Sequence, residues 1–239
     1  MKNKVYSSFD EAVAGIPDGA TIMFPGFGPP GIPRNLIAAL IRQGAKDLIG
    51  ICNNHGALGN LMDVGRLIET ERVVKWVCAF TAAPHPSRKL AFEGLYEEGK
   101  IEAELVPQGT LAERIRAGGA GIGAFYTPTG VGTEVAEGKE HREIDGRMHI
   151  LEYPLKADYA LIRARRADKM GNLQYRLSQR NFNPLMAQAA TTTIVEVEED
   201  ILEPGQIDPD QVHTPCIFVD RMVRIPPAPE GIWDAPTRT

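Results

Sequence analysis

Cysteine is scarce in this 239-residue chain: Cys52, Cys78 and Cys216 are too few and too widely spaced for a disulfide framework or a zinc motif. Cys52 and Cys78 stand in apolar runs, where a thiol serves as a small buried hydrophobe. Long hydrophobic runs are missing too. No stretch approaches the length of a membrane span, and the N-terminal MKNKVYSSFDEAV has no apolar region of the export-signal kind. These absences predict a cytoplasmic protein with no membrane contact. Positive charge is also in deficit, at a net −5, which argues against a nucleic-acid or anionic-membrane partner. The densest basic cluster, Arg163, Arg165, Arg166 and Lys169, reads as a solvated face.

The common catalytic signatures are lacking as well. No glycine-rich turn ends in Gly-Lys-Ser/Thr, so there is no phosphate-cradling P-loop, and no Gly-x-Ser-x-Gly elbow presents a serine. The five histidines, His55, His85, His141, His149 and His213, have no metal-ligand spacing. Glycines 26, 28 and 31 match the bare dinucleotide spacing GxGxxG. Pro29 and Pro30 remove two amide donors from that turn, however, and Cys52-Asn53-Asn54-His55 stands where an acidic residue should close the second strand. Carboxylates abound, but Glu196, Glu198, Glu199 and Asp200 read as a solvated strand end, and none of the others is marked as a nucleophile.

What is there is the alternation of an α/β protein. At 43% hydrophobic and 24% charged residues, the composition is that of a globular chain long enough to bury a core unaided. Apolar runs predict strands at 20–24, 48–52, 73–80, 101–106, 149–153, 157–164, 192–197 and 216–223. Helical spacing predicts helices at 9–14, 34–42, 61–70, 88–98 and 110–117. The first is capped by Ser7 or Ser8 with Glu11, the second is closed by Gly44, and the last ends at Gly118-Gly119. Thr110 with Glu113 offers a further capping box. With no repeat and no linker, residues 1–224 form one domain, and the proline-rich 225–239 forms an irregular tail.

Between the first strand and the second helix lies ATIMFPGFGPPGIPRNL, with three glycines and four prolines in the nine residues from 25 to 33. Glycine lets the backbone pass close to another group and proline stiffens it, so this connection has a fixed shape. A tight turn with no ligand is the plainer alternative. Asn53 and Asn54 end the second strand, where open α/β sheets place their ligands, although either also serves as a turn former.

Four stretches together carry a resemblance: PGFGPPGIPRNLI at 25–37, CNNHG at 52–56, ELVPQGTLAERIRAGGAGIGAFYTPTGVGT at 104–133 and GNLQYRLSQRNFNPLMAQAA at 171–190. With EGKEHREIDGRMHILEYPLKADYALI at 137–162, they make the chain resemble, over residues 5–223, the A subunit of family I coenzyme A transferases of the 3-oxoacid and 3-oxoadipate type. The resemblance implies the CoA transferase fold, an open mixed, largely parallel sheet flanked by helices. It implies a B-subunit partner in a heterodimer or heterotetramer, acyl-CoA and carboxylic acid substrates, and no permanently bound cofactor or metal. It also accounts for the missing nucleophile, because in this family the thioester is attacked by a glutamate that the B subunit carries.

By the same resemblance, Gly26, Phe27, Gly28, Pro29, Pro30 and Gly31 form the CoA-binding segment, with rigid amides facing a developing oxyanion and the dipole of the following helix behind them. Asn53, Asn54, His55 and Gln108 form the substrate wall. Three departures bear on acyl specificity: Pro25 where relatives carry glycine, His55 where they carry alanine, and the 79–88 segment, in which Arg88 reads first as a surface residue and only second as a carboxylate partner. A hydrolase outcome, or a non-catalytic acyl-CoA-binding role, stands as the alternative.

Overall fold

The computed structural model describes residues 3–56, 61–81 and 90–226. Seven strands form the main sheet: β1 (Thr21–Phe24), β2 (Leu48–Cys52), β3 (Val73–Cys78), β4 (Glu102–Leu105), β8 (Ala157–Ala164), β11 (Ala190–Val197) and β12 (Arg221–Arg224). Their order is β12-β11-β8-β1-β2-β3-β4, and every pairing is parallel. The mixed character expected from the sequence resides elsewhere, in a separate antiparallel sheet of β5 (Phe125–Thr127), β6 (His141–Ile144) and β7 (Arg147–Glu152). A short antiparallel pair, β9 (Arg166–Ala167) and β10 (Leu173–Gln174), completes the strands described.

Parallel strands need crossovers, and these put helices on both faces. One face is covered by α1 (Phe9–Val13), α2 (Arg34–Gln43), α3 (Val64–Ile68) and α4 (Ala91–Glu97), the other by α5 (Gln108–Ala120) and α6 (Asn183–Ala189). The period-2 geometry of a strand sorts side chains between the two cores. Along β1, Ile22 and Phe24 enter the first core while Met23 enters the second, and along β11 Ile194 and Val195 divide in the same way. The chain steps outward from β1 to β4, then returns to lay β8 on the opposite flank of β1. That reversal between β1 and β8 makes the carboxyl ends of these strands the switch point at which open α/β sheets place their ligands.

Local chemistry explains where elements begin and stop. Ser8 caps α1 through the Glu11 amide at 3.1 Å, and Glu11 answers by accepting from Ser7. Gly44 closes α2 at φ 92°. The helix expected over 61–70 starts only after Asp63, whose carboxylate accepts the Gly65 amide at 2.9 Å. Thr110 is not a cap: α5 begins two residues earlier, after Pro107, and buries Thr110. Nor do Gly118 and Gly119 end that helix, which runs to Ala120 with Gly121 as its left-handed cap. They are close-approach residues. A Cβ on Gly118 would lie 2.0 Å from the Leu155 carbonyl oxygen, and one on Gly119 would lie 2.8 Å from Gln188 of α6.

The strand expected over 216–223 opens as a 3-10 turn after Pro215, because the Cys216 amide donates to Asn172 Oδ1 at 3.0 Å and not to a ladder; pairing starts at Arg221. Of the expected tail, residues 227–239 lie outside the described residues. Among the described residues, no helix is long and apolar enough to cross a membrane.

Candidate functional site

The 25–33 connection leaves β1 at the switch point and enters α2. Gly26, Gly28 and Gly31 all take positive φ, at 132°, 67° and 82°, but they serve two purposes. A Cβ on Gly26 would lie 2.8 Å from the Ile32 side chain, and one on Gly31 would lie 2.6 Å from Asn183 Nδ2 and 2.9 Å from Asn181 Nδ2. These two glycines bring the loop against the protein itself. Only Gly28 of the three has open space on its Cβ side.

Four of the nine loop residues are prolines without an N–H, and the Gly26 amide donates to Asn181 Oδ1 at 3.2 Å. The other amides belong to Phe27, Gly28, Gly31 and Ile32. Phe27 and Gly28 form the crest, with Phe27 56% exposed and flanked by the exposed Pro29 and Pro30, while Gly31 and Ile32 are buried.

The start of α2 departs from expectation. Pro33 gives it no side-chain cap; the Arg34 amide turns back to the Ile32 carbonyl at 3.0 Å, and the next two amides are answered from across the sheet. The Asn35 and Leu36 amides donate to Glu196 Oε2 at 2.8 and 3.1 Å. The positive end of the α2 dipole therefore meets a carboxylate of the protein. Glu196 is not part of a solvated strand end. It is fully buried on β11, with Arg163 of β8 3.4 Å from its Oε1. Burial pushes the Glu196 carboxyl up to about 7, against the opposing pull of the Arg163 charge and the α2 amides.

Arg163, its side chain 11% exposed, also donates to Glu198 at 2.7 Å, and Gln179 Nε2 donates to the same Glu198 oxygen at 2.9 Å. The basic cluster read from the sequence is thus a set of ion pairs: Arg165 and Arg166 share Glu199, and Lys169 takes Glu203. Arg166 and Lys169 keep the solvated setting expected of them, whereas Arg163 does not.

On the other flank of β1, Asn53 and Gln108 come together. Gln108 Nε2 donates to the buried Asn53 Oδ1 at 2.7 Å, joining the ends of β2 and α5. Asn54 is a turn former: its Oδ1 accepts the Gly56 amide at 2.8 Å, and its carbonyl accepts Trp76 Nε1 at 3.1 Å. His55 turns into the core, 2% exposed, with its ring stacked on Phe92 at 5.5 Å; neither ring nitrogen has a hydrogen-bond partner among the described residues. Beyond β3, the Ala79 amide donates to the Asn53 carbonyl at 3.0 Å, and the exposed Phe80 follows. Arg88 lies outside the described residues. Among the described residues, no cluster of His, Cys, Asp and Glu is suited to hold a metal ion.

The residues that hold the loop are ones to which sequence reasoning gives no functional role: Asn181, Asn183 and Glu196, the last of which reads from the sequence as part of a solvated strand end. Asn181 Nδ2 donates to the Pro30 carbonyl at 3.0 Å, and Asn183 Nδ2 donates to the Gly31 carbonyl at 3.3 Å. One signal was available. Counting by twos from Ile194 puts Glu196 on the same inward face, a carboxylate where an apolar side chain is expected.

A rigid loop at the switch point of a parallel sheet stands where open α/β folds place their ligands, and the chain's likeness to known proteins says which family it belongs to. A coenzyme A transferase family model matches residues 6–224. The chain belongs to the coenzyme A transferase family. It is 52% identical, over 225 residues covering 94% of this chain and 95% of the relative, to the A subunit of the 3-oxoadipate CoA-transferase of Pseudomonas putida. It is 47% identical to the A subunit of the probable succinyl-CoA:3-ketoacid coenzyme A transferase of Bacillus subtilis (strain 168), over 92% of this chain and 89% of that one. By this likeness it is a transferase component of the A type. The solved glutaconate coenzyme A-transferase from Acidaminococcus fermentans superposes with a TM-score of 0.79 over 93% of this chain and 76% of that one; at 24% identity it speaks for the fold alone.

Proposed function

We propose that this chain is the A half of a two-component transferase that moves CoA between an acyl-CoA, such as succinyl-CoA, and a short carboxylic or 3-oxo acid, such as 3-oxoadipate. The attacking glutamate comes from a B subunit. Its carboxylate oxygen adds to the thioester carbonyl, the C–S bond breaks, and CoA leaves as thiolate from an acyl-glutamyl anhydride. The thiolate then attacks the glutamyl carbonyl and releases the first acid, leaving a glutamyl-CoA thioester. The incoming acid reverses the sequence and carries CoA away. This chain contributes the Phe27 and Gly28 amides as candidate oxyanion donors, one such donor being worth roughly 10²–10³ in rate, and the Asn53–Gln108 pair as the polar wall.

One observation carries the reading: the switch point combines a clamped backbone loop with carboxylates that are already engaged. Glu196 accepts from two amides, and Glu198 accepts from Arg163 and Gln179. A nucleophile from a second chain fits such a half-site.

The test mixes this chain and its purified B subunit with succinyl-CoA and a panel of acids and follows new acyl-CoA by chromatography. Transfer is expected from the pair and not from either component alone. Robust transfer by this chain alone refutes the half-site. Release of free CoA without transfer makes the pair a hydrolase.

A further inference from the structure

The Gly/Pro loop is clamped at both ends by residues from the opposite flank of the switch point. At its entry, Asn181 accepts the Gly26 amide, then reaches over to the Pro30 carbonyl at 3.0 Å and to the Ser178 carbonyl at 2.8 Å. At its exit, Asn183 holds the Gly31 carbonyl and Glu196 takes the Asn35 and Leu36 amides of α2. The clamp is itself anchored: Asn183 Oδ1 accepts the Arg163 amide at 2.9 Å, and the Arg163 guanidinium bridges Glu196 and Glu198. The start of α6, backed by β8 and β11, thus reaches across the switch point and holds a loop that belongs to β1.

Within that clamp Glu196 has a demand that few side chains meet. It is fully buried, and everything facing it is a donor: the Asn35 and Leu36 amides and the Asn35 side chain from α2, and the Arg163 guanidinium from β8. Glu198, just past the end of β11, is turned to Arg163 and Gln179. A carboxylate has acceptor sites on both oxygens and no donor, so it satisfies all of these at once. A glutamine offers one accepting oxygen and sets its NH₂ against a donor in either orientation. An aspartate is one methylene short of bridging β11 to α2. An apolar residue here would leave the Asn35 and Leu36 amides without their acceptor, whereas an acceptor-only group reaching α2 pairs with them and fixes the direction of the helix start and of the loop leading into it.

We propose that Glu196 is a positioning residue for CoA transfer: by gripping the first turn of α2 against Arg163, it sets the height and direction at which the Phe27–Gly28 crest meets the thioester. It touches no reacting atom and acts through the loop. This rests on the transferase reading above. Because oxyanion donors act on charge that develops only in the transition state, loss of alignment lowers kcat and leaves KM nearly unchanged. A misplacement of about 1 Å costs on the order of 10²-fold.

The test compares wild type, Glu196→Gln and Glu196→Asp, each assembled with the B subunit. Both variants are expected to lose about 10- to 100-fold in kcat, with KM for acyl-CoA within about threefold of wild type. Amide hydrogen exchange, read on this chain within the same complexes, is expected to show lost protection at Asn35 and Leu36 in both variants, with global protection in β8 and β11 retained. Wild-type kcat in either variant overturns the proposal, as does unchanged exchange at Asn35 and Leu36. A loss of protection spread evenly over the sheet also overturns it, since that is the mark of a general stability role. If the wild-type pair transfers no CoA with any acid, the functional reading fails on that arm, and exchange in the two variants still decides whether Glu196 grips α2.

Discussion

The three loop glycines have the same backbone sign and different surroundings, so alanine and valine substitutions separate architecture from function. Gly31 sits at φ 82° with three atoms within 3.0 Å of where a Cβ would go: Asn183 Nδ2, Asn181 Nδ2 and the Gln179 carbonyl oxygen. In Gly31→Ala the left-handed conformation costs about 1–2 kcal/mol. Pushing the two asparagines off the loop costs a further 1–3 kcal/mol or so. Gly28, at φ 67° with nothing within 4 Å of its Cβ position, incurs only the first of these. At roughly 2–4 °C per kcal/mol for a chain of this size, Gly31→Ala should lower Tm by on the order of 10 °C and Gly28→Ala by a few degrees.

Activity of the reconstituted pair should rank differently. A side chain at residue 28 projects into the space before the crest, so Gly28→Val should cut turnover per folded molecule on the order of 100-fold while remaining the more stable protein. The assays are thermal denaturation of this chain and acyl-CoA transfer by the pair. If Gly28→Val transfers CoA at the wild-type rate, or destabilises as much as Gly31→Ala, the division between an open crest and a clamped base is wrong.

Two further outcomes test the surrounding architecture. A Cβ at Gly50 of β2 would lie 1.8 Å from the fully buried Trp76 ring on β3, so Gly50→Ala must expel the indole or part the strands. A loss of about 3 kcal/mol or more and a red-shifted tryptophan emission are expected. A native-like spectrum with unchanged Tm refutes that packing. Glu196 contributes a pH dependence of definite sign. Burial raises its folded value from 4.5 to about 7, so folding with this carboxyl protonated is fully favoured below about 4.5, and ionising it to the acceptor-only form that grips α2 costs stability as pH rises through about 7. Wild type should therefore lose about 3 kcal/mol relative to Glu196→Gln between pH 4.5 and pH 8 in urea unfolding. A constant difference between the two proteins across that range contradicts the assignment.

Much of the frame was legible in the residues alone. The strand at 48–52, the strand at 157–164 and the helix from Arg34 to its Gly44 cap stand where periodicity and capping put them, because these depend on local patterns of apolar side chains and turn residues. The 25–33 loop announced itself by composition, and the long stretches from 104 to 190 indicated the family to which the chain belongs. Local pattern failed where a residue's meaning comes from a distant neighbour. Gly118 and Gly119 look like a helix end and are instead the contact of α5 with Leu155 and Gln188. Asn54 and His55 follow Asn53 directly, yet only Asn53 meets Gln108, because strand ends rotate side chains apart.

Residue type and spacing are enough to specify the α/β alternation, the stiffness of the Gly/Pro connection and the want of a self-sufficient nucleophile motif. They do not reveal that two of the three loop glycines face the protein and one faces open space; that emerges once the chain is folded. Nor do they reveal that a carboxylate 161 residues downstream of Asn35 lies beneath α2, where the reversal between β1 and β8 carries β11 to that flank. Such a contact joins two segments through the order of strands in the sheet, and strand order is set by the packing of the whole chain, not by any stretch of it.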